Sequence, residues 1–108
     1  VGETYNVGGD AERYNIDVVK QICDLLDEAM PHSENVPHSK LIEFVKDRPG
    51  HDRRYAIDCS KLKKELGWKQ SESFESGLKK TVAWFLDHET WVNQVLADKY
   101  SGERLGTN

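Results

Sequence analysis

The chain is 108 residues long, 37% hydrophobic and 31% charged, with a formal net charge of −4. Such a length holds about one small domain, which must bury nearly all its large apolar residues to offset an ordering entropy on the order of 100–200 kcal/mol. The acidic balance disfavours a nucleic-acid partner, whose phosphates need a basic surface, and no apolar run approaches the ~20 residues of a membrane span.

In chain order, Thr4-Tyr5-Asn6-Val7 reads as a short strand closed by Gly8-Gly9. Asn15 is a good N-cap, with Asp17 placed to suit the helix dipole. Val19, Ile22, Leu26 and Ala29 follow at helical spacing until Pro31 stops the helix. A polar loop runs to Lys40. Leu41-Ile42-Glu43-Phe44-Val45 is the next strand candidate, and it enters a charged turn through Arg54. Tyr55-Ala56-Ile57 is a brief extended piece. Asp58 caps a short helix through Leu62 and Leu66, ended by Gly67 at the usual left-handed position, and Trp68 folds back over that end. Ser73 caps a last long helix with Phe74, Leu78, Val82 and Phe85 as its buried stripe, resuming after a bend through Trp91, Val92 and Leu96. Trp68, Trp84, Phe85 and Trp91 read as core and helix-packing residues. The main unit spans residues 1–97, and residues 98–108 form a polar tail.

Strands joined by a long helical crossover are expected to be parallel, with a right-handed connection. A two-stranded parallel sheet is too small to stand well alone, so the pattern reads as one part of a larger α/β protein. The first residues show neither a basic n-region nor an apolar h-region, so no signal peptide is expected. The missing initiator Met leads to the expectation of a fragment, a processed chain or a trimmed one. Cys23 and Cys59 form no CxxC pair and no disulfide framework; both read as reduced thiols of a cytoplasmic protein.

The chemistry concentrates in one place. Lys46, Arg48, Arg53 and Arg54 stand among Asp47 and Asp52, a basic segment inside an acidic chain. Pro49-Gly50 forces a tight turn just after a strand. Such a turn can offer the planar fork of Arg48 to a diphosphate, with His51 adding a hydrogen bond. The alternative is a solvated charged loop. Asn15 is first a helix cap, and near a helix N-terminus it can also face a phosphate. Gly8-Gly9 is no dinucleotide fingerprint, because the chain contains no G-x-G-x-x-G. His32 and His38 lack the spacing and supporting shell of a metal site. His88 reads as solvated. Cys59, beside a helix start, is a candidate for a lowered thiol pKa, with no catalytic partner in view.

Several stretches resemble the C-terminal portion of the dTDP-glucose 4,6-dehydratases, within the extended short-chain dehydrogenase/reductase family. They are Gly2-Glu3-Thr4-Tyr5-Asn6-Val7-Gly8-Gly9, Asn15-Ile16-Asp17-Val18-Val19, Ile22-Cys23-Asp24-Leu25-Leu26-Asp27, Glu65-Leu66-Gly67-Trp68 and Gly77-Leu78-Lys79-Lys80-Thr81-Val82-Ala83-Trp84. Above all they include Asp47-Arg48-Pro49-Gly50-His51-Asp52-Arg53-Arg54-Tyr55-Ala56-Ile57-Asp58. The shorter Arg-Pro-Gly form is shared by many nucleotide-sugar enzymes, and the longer form is more specific to the dTDP-glucose dehydratases.

The resemblance implies an α/β fold: the small C-terminal substrate domain of an extended short-chain dehydrogenase, with short parallel strands and packed helices. It implies that Asn15, Asp47, Arg48, Pro49, Gly50 and His51 bind a dTDP-sugar, with Arg48 clamping the diphosphate. It also implies a homodimeric lyase whose NAD sits in a separate N-terminal Rossmann domain. In the family reaction NAD takes hydride from sugar C4, water leaves across C5 and C6, and the hydride returns to C6. This yields dTDP-4-dehydro-6-deoxyglucose, a precursor of rhamnose and other deoxysugars. The family's glycine-rich NAD loop and Tyr-x-x-x-Lys pair are absent: Tyr5, Tyr14, Tyr55 and Tyr100 are followed four residues on by Gly9, Val18, Cys59 and Arg104. No catalytic or cofactor-binding residue is therefore expected in this stretch, and it should be inert alone. The alternatives are part of a related nucleotide-sugar epimerase or decarboxylase, and a free-standing, non-enzymatic binding module.

Overall fold

The apolar repeat from Ile16 to Leu26 winds into helix α1, Asn15–Ala29, in the computed structural model, which describes residues 2–52 and 54–99. Tyr14 is the N-cap residue, and its carbonyl accepts from the Asp17 and Val18 N–H groups at 3.0 and 3.2 Å. The helix thus starts one residue earlier than an Asn15 cap would place it, and Asn15 occupies the first helical position. Met30 closes the far end with its N–H on the Leu26 carbonyl, and Pro31 prevents continuation.

A short 3-10 turn, His38–Leu41, folds back onto α1. His38 is 5% exposed. Its backbone N–H and its ring Nδ1 both meet Asp27 Oδ1, at 2.8 and 2.5 Å. These bonds, the backbone one foremost, hold the Asp27 carboxyl below the usual carboxylate range.

Helix α2, Ser60–Leu66, follows Asp58, whose carboxylate accepts from the Ser60 N–H at 2.9 Å. Gly67 ends it at φ 63°, with its N–H on the Lys63 carbonyl. Helix α3, Phe74–Asp87, is capped by Ser73 Oγ, which accepts from the Ser76 N–H at 3.0 Å. A break at His88 separates α3 from α4, Glu89–Lys99, where the sequence suggested a bend. Helix α4 therefore passes the expected unit end at residue 97, and the rest of the expected tail, from residue 100, lies outside the described residues. α1 packs on the 3-10 turn and on α3, and α3 meets α4.

Residues 2–14 form an arm that runs beside residues 54–65. Lys61 pairs with Glu3 at 2.6 Å and the Tyr5 hydroxyl donates to Glu65 at 2.9 Å. Asp10 accepts from the Cys59 thiol at 3.1 Å and pairs with Lys63. Arg54 pairs with Glu12 at 3.0 Å, and Tyr14 and Arg54 form an isolated antiparallel bridge. Gly8 permits the close approach: a Cβ there would lie 3.0 Å from Ile57 Cβ. Cys59, bonded to the arm through Asp10, is 1% exposed, and Leu62 is 6% exposed.

The segments expected as strands are extended but form no ladder among the described residues. Leu41 closes the 3-10 turn instead of opening a strand. The physical reason is visible in what lies over them, which is nothing: Phe44 is 85% exposed, Val45 78% and Val7 64%. A strand requires a neighbouring strand for its backbone and a layer for its side chains. The core expectation for the aromatics is corrected in the same way. Trp84, Phe85 and Trp91 are about half exposed and pack edge-to-face on one another. His88 is exposed, as expected, but its ring stacks on Trp84.

The accessible surface is 9215 Å². A compact protein of this mass would expose roughly 6,100 Å². The radius of gyration is 17.4 Å, against about 13 Å for a compact chain of this length.

Candidate functional site

The charged turn is built by Asp47. Its Oδ1 accepts from the Arg48 N–H at 2.8 Å and from His51 Nδ1 at 2.6 Å, which closes residues 47–51 into a loop. Gly50 stands at φ 68°, a left-handed conformation with open space where a side chain would be. Pro49 fixes the preceding backbone angle. The Asp47 carboxyl is held below its ordinary range, chiefly by the His51 hydrogen bond and further by the Arg48 N–H. His51 is half-buried and Arg48 exposed. Among the described residues the Arg48 guanidinium enters no ion pair or hydrogen bond, so a five-donor fork faces solvent just after the extended residues 42–46.

Asn15 is exposed at the N-terminal end of α1, and its amide makes no hydrogen bond among the described residues. No hydrogen bond joins Asn15 to residues 47–51. What connects the two segments is Arg54, bridged to Tyr14 through its backbone and to Glu12 through its side chain. The sequence-predicted residues thus fall into two groups: Asp47, Arg48, Pro49, Gly50 and His51 in one turn, and Asn15 on the neighbouring helix start. Arg53 lies outside the described residues.

Cys59 corrects the expectation of an activated thiol. Asp10 accepts its S–H, and the carboxylate together with burial pushes the thiol pKa up. The Lys63 ammonium in turn holds the Asp10 carboxyl low. Asp10 sits at φ 49°, a conformation that Asp tolerates better than most residues. Among the described residues there is no group of three metal-ligating side chains. Nor is Gly8-Gly9 a pyrophosphate cradle, since Ile57 already fills the space that Gly8 opens. Among the described residues this glycine pair therefore offers no dinucleotide cradle.

A separate open cleft of about 1050 Å³ lies between the arm, residues 55–57 and the start of α3, lined by Val7, Asp10, Tyr55, Ile57, Trp68 and Phe74 among others. It includes none of the sequence-predicted site residues. Sequence reasoning did not anticipate it, because it depends on the arm crossing residues about 50 positions away, for which spacing carries no signal.

A family model described as GDP-mannose 4,6 dehydratase matches residues 1–81. The chain belongs to that family. Among curated members of similar sequence, the dTDP-glucose 4,6-dehydratase of Xanthomonas campestris is 57% identical over 98% of this chain and 30% of its own length. That of Neisseria meningitidis is 55% identical over 99% of this chain and 31% of its own length. A crystal structure of dTDP-glucose 4,6-dehydratase from Bacillus anthracis, in complex with NAD, superposes with a TM-score of 0.64 at 45% identity. The alignment covers 84% of this chain and 26% of that one. The chain therefore spans about 30% of the length of these GDP-mannose 4,6 dehydratase family relatives. Over that portion it shares the fold of this structural neighbour.

Proposed function

We propose that this chain is the nucleotide-sugar-binding, C-terminal portion of a dTDP-glucose 4,6-dehydratase, an NAD-dependent lyase. The observation that carries the reading is the turn at residues 47–51. Asp47 closes it from within, while the Arg48 fork has no described partner, in a chain 57% identical to a dTDP-glucose 4,6-dehydratase. A diphosphate is the ligand that such a fork suits: planar, permanently charged and bidentate. Asn15 and residues 47–51 form the substrate-binding set, and residues 1–97 form the substrate domain. NAD and the proton-transfer groups belong to a Rossmann domain outside this stretch. In the longer enzyme the extended segments around Val7 and Phe44 join a parallel sheet, which covers the apolar surface left open here. The enzyme works as a cytoplasmic homodimer, and this portion alone turns over no substrate.

The test titrates dTDP and NAD separately into the chain and its variants. Arg48→Ala is expected to raise the dTDP dissociation constant by about 10- to 150-fold, the equivalent of a charge-assisted contact of about 1.5–3 kcal/mol. Arg48→Lys recovers only part, since the charge survives and the fork does not. NAD should not bind at micromolar concentration. An unchanged dTDP affinity in Arg48→Ala returns the turn to a solvated loop, and micromolar NAD binding removes the division of labour.

A further inference from the structure

Asn15 belongs to the substrate-binding set, yet its own side chain does nothing to fix it. Its amide makes no hydrogen bond among the described residues. Tyr14, the N-cap residue of α1, makes no side-chain cap bond, whereas α3 has the Ser73 hydroxyl. The start of α1 is therefore held through its neighbours. Tyr14 bridges to Arg54 through its backbone, and Glu12 pairs with Arg54 at 3.0 Å. Arg13 reaches α3 instead. Its Nη2 donates to Glu75 Oε1 at 2.9 Å, and its guanidinium carbon lies 5.0 Å from the centre of the Phe74 ring. Nη1 donates to the Glu12 carbonyl at 3.2 Å. An exposed ion pair alone adds little. Here a carboxylate, an aromatic face and a carbonyl converge on one guanidinium, and a planar group with five donors meets all three at once.

We infer that Arg13 is a positioning residue: by clamping onto Phe74 and Glu75 it fixes the start of α1 against α3, and so fixes where the Asn15 amide meets a nucleotide sugar. This rests on the reading of Asn15 and residues 47–51 as the nucleotide-sugar site. Phe74 and Glu75 open α3, and their place is set by the Ser73 cap and by the packing of α3 on α1. Arg13 and Asn15 are separated only by Tyr14, so any shift of the clamp is passed directly to the amide. Arg13 thus refers Asn15 to α3, while Glu12 refers the same stretch to Arg54, just beyond the charged turn. The two arginines differ in what they offer a ligand. The Arg48 fork is open to an anion, whereas the Arg13 charge is already paired with Glu75.

The experiment measures dTDP-glucose affinity of the chain by calorimetry in single and double variants. Arg13→Ala is expected to weaken binding by about two- to tenfold, the scale of one neutral hydrogen bond, and Asn15→Ala by a similar factor. Because Arg13 acts only through Asn15, the double variant Arg13→Ala, Asn15→Ala should bind no more weakly than Asn15→Ala alone. Combined with Arg48→Ala, the Arg13→Ala factor should instead multiply in full. Arg13→Lys keeps a charge beside Glu75 without the fork and should recover part of the affinity. Phe74→Leu leaves the ion pair and removes the ring; it should repeat the Arg13→Ala pattern at smaller size, including its disappearance in the Asn15→Ala background, and it carries the test if Arg13→Ala does not fold. A loss that persists in full on top of Asn15→Ala overturns the proposal, since a general loosening of the fold or a direct contact of Arg13 with the ligand behaves that way. So does unchanged affinity in Arg13→Ala. If Arg48→Ala still weakens binding in either case, the nucleotide-sugar site stands and only the clamp falls. Absence of dTDP-glucose binding by the wild type takes down both.

Discussion

Leu62→Ala offers the most direct test of how this chain is held together. Leu62 is 6% exposed, and the other fully buried apolar residues among those described are the two small cysteines, Cys23 and Cys59. The substitution removes three carbons, worth about 0.8 kcal/mol each, or about 2.4 kcal/mol of transfer free energy. The expected loss is about 2–3 kcal/mol, the low end of the range for such truncations. Helix α2 has seven residues and cannot persist alone, so it should melt as a unit and release the Asp10–Lys63 and Tyr5–Glu65 contacts. Urea unfolding gives the stability change, and amide exchange of α2 locates it. Leu62→Met, which keeps the volume, should cost less than about 1.5 kcal/mol. A loss below about 1 kcal/mol for Leu62→Ala, or unchanged exchange in α2, would refute the idea that this one buried side chain holds α2 in place.

Gly67→Ala places a Cβ on a left-handed residue at φ 63° and should cost about 1–2 kcal/mol in the same urea assay. Gly67→Asn should cost less, because Asn adopts that conformation more readily. The Asp27 carboxyl is depressed in the folded chain, first by the His38 N–H and then by the ring. Its stabilising contribution is therefore present above the unfolded carboxylate pKa of about 3.9 and is lost as pH falls through the lower folded value. Amide exchange at His38 should accelerate below about pH 4, and Asp27→Asn should make exchange there fast at neutral pH and remove the acid dependence.

The helices were legible because their signals are local. Pro31, Ser73 and Gly67 each mark a helix end through their own backbone or side-chain chemistry, and each does so in the structure. The bend near His88 was legible for the same reason. The strands were not, because a strand is defined by a partner, and the pattern at residues 4–7 and 41–45 says only that a partner is wanted. The aromatics Trp84, Phe85 and Trp91 misled in the same sense, since apolar character states a preference for burial and cannot supply the covering layer. At the candidate site the turn was readable from Pro49-Gly50, whereas the bonds of Asp47 to the Arg48 N–H and His51 were not. The Asp10–Cys59 contact reversed the expected direction of the thiol pKa across 49 positions of sequence.

The seam between the arm and residues 54–65 also has a place in time. Its contacts close loops of 40 to 60 residues, from Tyr14–Arg54 to Tyr5–Glu65. Helices α1 and α3 need only neighbours three and four positions away. Chain closure over such distances costs entropy before any contact repays it, so the helices form early and the arm docks late. What docks late also opens first, since its exposed ion pairs add little to hold it. Asn15 follows directly on this arm. Its distance from Arg48 is therefore set by the last event of folding and is the first quantity to drift when the fold is stressed.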